Sequence, residues 1–466
     1  MAEDPAPAGS AISPRRFLAP LALAQFICSF AGSNMNVMIN DISEDLDTTV
    51  TGVQTAITLF LLIMAIFMIP GSKLTDRWGR KRCLIGGLII YGIGALVSAL
   101  APNLGVLIVG NSILEGVGTA LLIPPVYILA TLYFDDLTSR ARAFGRISGM
   151  GGIGAAAGPL IGGLITTAIS WRAAFVFQVL VVVAIVALSR RIDDPLPPDP
   201  TSPFDPLGAV LSAVGMLFVV LGILQADNDG ALMAVLVAVG AAVLTWFFLH
   251  IRSRERAGRE PLLHRAMFRN RTSNLALLTQ NIQWLLLMGT SFVVAVFLQT
   301  VRGYNAIETG VVFTAATIGV LATSLGAERF AKRRSQKLLI SAGFVVTLAG
   351  IGVLLALVGA SSRAVAFAPG LLLIGLGLGV MLTPSVNIVQ SSFPEDQQGE
   401  ISGLSRSISN LGSSFGTAIA GTILVSDLAS GNDTYILAMI VLAGFAVVGL
   451  LASLRLPATA RQPAPG

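Results

Sequence analysis

"LFLLIMAIFMIPGSKLTDRWGRKR", residues 59–82, starts as an unbroken apolar run and ends with four charges among its last six residues. Extended back to residue 54, the apolar part is about 20 residues, enough to cross a hydrocarbon core about 30 Å thick as a helix. Inside lipid the backbone must satisfy its own hydrogen bonds, so a run of that length is helical. The basic end admits three readings: a nucleic-acid patch, an orientation signal at a membrane face, or a moving part next to a membrane helix. The rest of the chain decides between them.

The pattern recurs along all 466 residues, of which 54% are hydrophobic and only 12% charged. Ordinary soluble domains carry about 25% charge, and the mean hydropathy here is +0.80. The 49 glycines and 22 prolines suit a membrane bundle, where small residues let helices approach closely. Apolar segments fall at 17–39, 54–74, 83–101, 104–133, 144–169, 172–189, 206–226, 230–250, 272–300, 308–327, 337–358, 365–391, 402–426 and 434–454. The expected fold is therefore an all-α polytopic membrane protein with 14 transmembrane helices.

Placing both termini in the cytoplasm puts Arg15, Arg16, the run at 77–82, Arg140, Arg142, Arg190 and Arg191 inside. The runs "HIRSRERAGREPLLHRAMFRNR" (250–271) and "AERFAKRRSQK" (327–337) join them, and only Arg172, Arg302 and Arg363 fall in outer loops. That is the positive-inside pattern. The net charge of +5 is spread over every inner loop, not gathered on one face, which argues against nucleic acid as a partner. Cys28 and Cys83 lie in different spans without paired spacing and read as small buried hydrophobes. The Pro/Ala-rich opening reads as a short tail, and the apolar segment behind it as the first span, not a signal peptide.

A shift of about 259 residues overlays the two halves. "EGVGTALLIPPVYI" (115–128) meets "IGLGLGVMLTPSVNI" (374–388), putting Gly116 on Gly375, Gly118 on Gly377 and Pro125 on Pro384. With a one-residue slip, Gly154 falls on Gly412 and Gly158 on Gly416, and "DRWGRK" (76–81) has a worn copy in "ERFAKR" (328–333). A parallel six-helix repeat is an arrangement of transporters that rock two bundles about a midplane site. The boundaries expected are a tail at 1–16, bundles at 17–191 and 272–455, linkers at 192–205 and 252–271, two inserted helices within 206–251, and a tail at 456–466.

These residues resemble the major facilitator superfamily, and within it the fourteen-spanner drug:proton antiporters. "SKLTDRWGRK" looks like the superfamily's loop signature between spans 2 and 3, with Ser72 where its first glycine stands. "GAAAGPLIGG" is similar to the span-5 signature of exporters, carried here by Gly154, Gly158, Pro159, Gly162 and Gly163. "FLQTVRGYNAIETG" (297–310) looks like that group's stretch after span 9. The sequence departs from the pattern where Ala31 takes an aspartate position in span 1 and Asn40 a proline position. Ser112 and Glu115 stand where span 4 usually has arginine and glutamine, and Ser409 where span 13 has arginine, with Arg406 one turn earlier. The resemblance implies a major facilitator fold of two six-helix pseudo-repeats plus two inserted helices, in the inner (plasma) membrane. It further implies alternating access, proton antiport, a small-molecule substrate and a monomer.

For the sites, an acid at the last turn of a helix, as Asp76 is, opposes the helix dipole and needs a cationic partner. In the superfamily the loop of Asp76, Arg77, Gly79, Arg80 and Lys81 latches the two halves. Arg406 is the partner expected for Asp76, with Glu328 and Arg146 (or Arg142) as the repeat-related pair. Each pair would bias the conformational equilibrium by about 1–3 kcal/mol. Topology alone explains the arginines but neither acid. Glu115 lies about 16 Å into its span at 1.5 Å per residue. A carboxylate at that depth is costly unless paired, protonated or facing water, so it is the proton-coupling candidate, with a hydrogen-bonded structural role as the alternative. The polar set Asn34, Asn36, Tyr127, Gln280, Asn281, Gln283, Trp284 and Asn387 reads either as the wall of a cavity for amphipathic, even cationic, compounds or as interhelical glue.

"GMGGIG" (149–154) matches a dinucleotide fingerprint literally, but no strand precedes it. No Walker sequence and no metal-ligand or nucleophile constellation occurs, so no cofactor, no metal and no enzyme activity are expected. A narrow-specificity metabolite or lipid-like exporter not coupled to protons by the usual residues is the second reading. A sensor built on a transporter fold is the third.

Overall fold

The computed structural model describes residues 14–457 except 135–136, 191, 193, 195–196, 202, 227–228, 359–362, 395–396 and 426–431; several side chains near 137–148 and 324–333 are also outside the description. Both expected tails therefore lie mostly outside it. Among the described residues the regular structure is helical. The long helices are α1 (Pro14–Val37), α2 (Val50–Trp78), α3 (Arg80–Ala99), α4 (Leu104–Tyr133), α5 (Leu137–Ala168), α6 (Trp171–Ser189) and α7 (Pro206–Leu224). They continue with α8 (Gly230–Arg256), α9 (Arg271–Val301), α10 (Ala306–Arg333), α11 (Gln336–Val358), α12 (Ala368–Gln390), α13 (Gln398–Val425) and α14 (Asn432–Leu454).

Local chemistry sets their ends. Thr49, Asn103, Ser170, Asp205, Asp229 and Asn270 each cap a helix by accepting the amide of a residue two or three positions on. Such caps satisfy amides that the first turn leaves free. Gly79, at φ 95°, stops α2 and lets the chain reverse at once into α3. Apolarity alone placed the start of the fifth span at 144 and of the thirteenth at 402, whereas the helices begin at Leu137 and Gln398. The extra turns are polar; they keep helical hydrogen bonds without needing hydrocarbon around them.

Among the described residues twelve helices are long and apolar enough to cross a membrane, or thirteen if a bent pair is one span. The bent pair is α5, where Gly149–Ala155 and Ala157–Ala168 meet at 42°. Pro159 cannot donate to the carbonyl at 155, which is where the helix gives way. The remaining long helix, α13, is not among them; serines such as Ser402, Ser405, Ser407, Ser409, Ser413 and Ser414 are interspersed with its apolar residues.

The glycines that align in sequence also make equivalent packing contacts. Gly154 rests on the Phe26 carbonyl of α1, and Gly412 on the Asn281 carbonyl of α9. Gly118 meets Gly87 and Tyr91 of α3, and Gly377 meets Gly343 and Thr347 of α11. A side chain at any of these points would hold the neighbouring helix off. Helices α7 and α8 pack on each other, and α7 also touches α2 and α13. The outer face of α8 leaves Val235, Trp246 and Leu249 exposed, as suits a helix bordered by lipid.

Candidate functional site

The halves meet along two long seams, α2 with α13 and α5 with α10. In the first seam Ser407 Oγ donates to the Ala65 carbonyl at 2.6 Å and Ser414 Oγ to the Thr58 carbonyl at 3.1 Å. Gln54 Nε2 reaches the carbonyls of Thr417 and Ala418 at 3.4 and 3.2 Å. In the second, Gly163 lies on the Ala306 carbonyl, and a Cβ at Gly310 would come within 2.5 Å of the Pro159 carbonyl. At the end carrying residues 38–49, Gln299 Nε2 donates to the Asn36 carbonyl (2.8 Å) and its Oε1 accepts the Asn40 amide (3.3 Å). Thr167 Oγ1 accepts the Ile307 amide there as well. The bundle is bonded shut at this far end.

Between the seams lies a cavity of about 60 Å³. Helix α1 contributes Gln25, Cys28, Ser29 and Gly32 to its wall, and α2 contributes Leu61, Met64 and Met68. Ile123 of α4 and Ala155 of α5 close the N-terminal half. From the other half come Trp284 and Met288 of α9 and Arg406, Ser409, Asn410 and Ser413 of α13. A polar ladder crosses it: Arg406 donates to the Tyr127 hydroxyl, with its guanidinium 4.8 Å from the ring centre. Tyr127 in turn donates to Gln25 Oε1 at 3.2 Å, and Gln25 Nε2 to Ser29 Oγ at 3.2 Å.

Of the eight polar residues read as cavity wall, Trp284 lines it and Tyr127 borders it through this ladder. The amides of α9 instead tie helices together. Gln280 bonds Ser409 and Ser405, Asn281 the Ile408 carbonyl, and Gln283 the Leu378 carbonyl and Ser385. Asn34 is buried beside Gly162, the Asn36 carbonyl belongs to the far-end closure, and Asn387 is exposed. The Gln25, Cys28, Ser29 and Met residues were missed. Their signal was available: 25, 28, 29 and 32 on α1, like 406, 409, 410 and 413 on α13, are one helical stripe.

The structure does not join Asp76 to Arg406. Asp76 pairs with Arg80 at 2.9 Å, four residues on in sequence. In the α2–α13 register Ser407 is level with Ala65 and Ser414 with Thr58, so Arg406 sits about ten residues, about 15 Å, deeper than Asp76. The turn after α2 is held by a different segment: the Lys81 amide donates to Asp194 and the Lys81 ammonium to the Arg190 carbonyl. Arg77 lines a separate surface cleft with Trp78 and Arg82. Arg146 is exposed, and the side chains of Glu328 and Arg142 lie outside the described residues.

Glu115 is fully buried but turned away from the cavity. Its Oε1 accepts from Ser98 at 3.4 Å, and the Tyr91 hydroxyl stands close by. Ile108–Glu115 is a π-helical stretch, a feature frequent at functional sites. Ser112, at the position of the family's arginine, donates to the Ala56 carbonyl at 2.7 Å. Gly158 and Pro159 of the fifth helix serve packing, Gly158 beside Ser33 and Pro159 in the α5–α10 seam. No group of three or more His, Cys, Asp or Glu that could hold a metal occurs among the described residues.

The sequence profile of the Major Facilitator Superfamily matches residues 21–417. The chain is 26% identical over 408 residues to the multidrug resistance protein Stp of Mycobacterium tuberculosis, covering 86% of this chain and 74% of the relative. It is 27% identical over 417 residues to the multidrug efflux pump LfrA of Mycolicibacterium smegmatis, covering 89% and 82%. With the puromycin resistance protein pur8 of Streptomyces alboniger it shares 27% over 422 residues, covering 88% and 82%. These matched relatives are transport and resistance proteins, not enzymes. A profile match over most of the chain, together with two helical halves closing on a central cavity, establishes that this protein belongs to the major facilitator superfamily.

Proposed function

We propose that the protein exports amphipathic small molecules across the inner membrane by alternating access, in exchange for protons. The observation that carries this is the cavity itself, walled by both halves and bonded shut at one end. At about 60 Å³ it is far below the 300–1,000 Å³ of pockets that hold drug-sized ligands. Substrate therefore enters only after the halves part at the opposite, basic end. The names of the relatives support efflux of drugs or antibiotics.

The reading takes fourteen spans, since α5 and α13 pack lengthwise against α1, α10, α2 and α9 and must cross wherever those helices cross. It keeps both termini cytoplasmic, the two six-helix bundles with inserted α7 and α8, and a single-copy transport unit. The turn after α2, with Asp76 on Arg80, acts as a latch that re-forms between states. Glu115 is the proton carrier.

The test is substrate-driven proton movement in proteoliposomes, wild type beside Glu115→Gln. Collapse of a preset pH gradient by substrate in wild type alone supports antiport through Glu115. Equal substrate accumulation in both, with no proton flux, favours the second reading, an exporter not coupled by the usual residues. One observation favours that alternative: Glu115 faces α3, and Ser112 and Ala31 stand where charged family residues are expected.

A further inference from the structure

We propose that the central cavity is built for an anionic group: Arg406 receives the carboxylate, sulfonate or phenolate of an amphipathic organic acid. This rests on the exporter reading above and names its substrate class. It departs from the cationic preference that the sequence suggested.

Among the described residues Arg406 is the only charged one in the cavity wall. Among the described residues no carboxylate pairs with it; its partner is the neutral Tyr127 hydroxyl and ring. Glu115 does not balance it there, because its carboxyl is turned to Ser98 and Tyr91 across the α3 interface. Asp76, the other acid of this region, is engaged by Arg80 and lies about 15 Å nearer the basic end by the helix register. A guanidinium deep in a membrane bundle is costly unless an opposite charge or several acceptors neutralise it. An incoming anion supplies that charge, and a planar guanidinium can grip a carboxylate or sulfonate through two parallel hydrogen bonds.

The rest of the wall fits the same ligand. Ser409, Asn410 and Ser413 continue the Arg406 stripe along α13 with neutral hydrogen-bonding groups. Facing them, Met64, Met68, Met288 and Trp284 offer a soft, polarizable surface to an apolar or aromatic body. A cationic amphiphile would meet Arg406 with like charge and find no carboxylate among the described residues of the wall. Binding of the acid would replace the Tyr127 contact, freeing the ladder that joins α13 to α4 and α1. Ligand charge and the association of the halves would thereby be coupled at one residue.

The test uses the full-length protein in lipid nanodiscs and three radiolabelled probes sharing one naphthalene body: a carboxylate, its methyl ester and a trimethylammonium analogue. Wild type is expected to bind the carboxylate about tenfold or more tighter than the ammonium probe, as a charge-assisted hydrogen bond implies. Arg406→Gln should lose about tenfold for the carboxylate and leave the ester within about twofold, while Arg406→Lys keeps most of the carboxylate affinity. Monodispersity of each variant is checked by gel filtration, and the wild-type preference stands as a test without any variant. Ammonium bound as well as or better than carboxylate overturns the proposal while leaving the exporter reading intact. An equal loss of all three probes in Arg406→Gln also overturns it, since Arg406 would then be structural. If wild type binds none of the three, the exporter reading falls and the proposal with it.

Discussion

Gly94 decides where Glu115 can point. A Cβ there would come within 2.7 Å of the Glu115 amide and the Gly110 carbonyl and 2.9 Å of Glu115 Cγ. Gly94→Val should therefore push α3 and α4 apart at a cost of about 1–3 kcal/mol, read as a lower melting temperature in detergent. An unchanged melting curve would mean the two helices slide freely there. Asp205 is a second residue with several duties. Buried at the start of α7, it accepts the amides of Gly208 (3.0 Å) and Leu262 (3.2 Å), binds His250 at 3.0 Å and lies 3.6 Å from Arg254. Burial works to raise its pKa, but the His250 and Gly208 hydrogen bonds and the nearby Arg254 charge outweigh it and hold the carboxyl below its ordinary value. A carboxyl depressed in the folded state contributes stability above its unfolded pKa of about 3.9, and that contribution is lost as the pH falls through the folded value. Asp205→Asn should be less stable than wild type at neutral pH, and the gap should narrow in melts taken below about pH 4. A gap independent of pH would remove the charge from this account.

At the scale of elements, α13 is a serine-rich span that packs closely on both α2 and α9. Its serines do not face lipid; they donate to α2 carbonyls or meet the amides of α9. Hydropathy reads a serine as polar whether or not a neighbouring carbonyl accepts its proton, so it does not show which serines bond a neighbouring helix. The same limit explains what could be read of the site. The stripe 406, 409, 410, 413 was visible from spacing, but its direction depends on how α13 is rotated against α2, which spacing does not contain. Arg406 accordingly looked like a partner for Asp76, although the register puts it deep in the cavity. The glycine repeat was legible because close packing needs small residues whatever the partner. Two substitutions test that packing: Gly412→Ala, which would meet the Asn281 carbonyl, and Gly152→Ala, with nothing within 4 Å. The first should lower the melting temperature markedly. The second should leave it unchanged or raise it slightly, since alanine favours helix over glycine by about 1 kcal/mol. Equal effects would show that the α9–α13 approach is not held by that glycine.

For the whole molecule, the question is what holds the far end shut. Gln299 is buried on α9 and bonds both the Asn36 carbonyl and the Asn40 amide at the end of α1. Two interhelical hydrogen bonds in a membrane bundle contribute about 0.6 kcal/mol each. Losing both in Gln299→Ala should shift the balance of closed and open far ends about sevenfold toward open. Spin labels at Ile169 and Val301, both exposed and in opposite halves, would report this in a background with Cys28 and Cys83 replaced by serine. The longer-distance population should grow in Gln299→Ala without substrate, and substrate export should change with it, since alternating access needs both ends to open in turn. If the distance distribution stays as in wild type, the closure rests on the packed seam of α5 and α10, where Gly163 and Gly310 meet the opposing backbone, and Gln299 is an accessory to it.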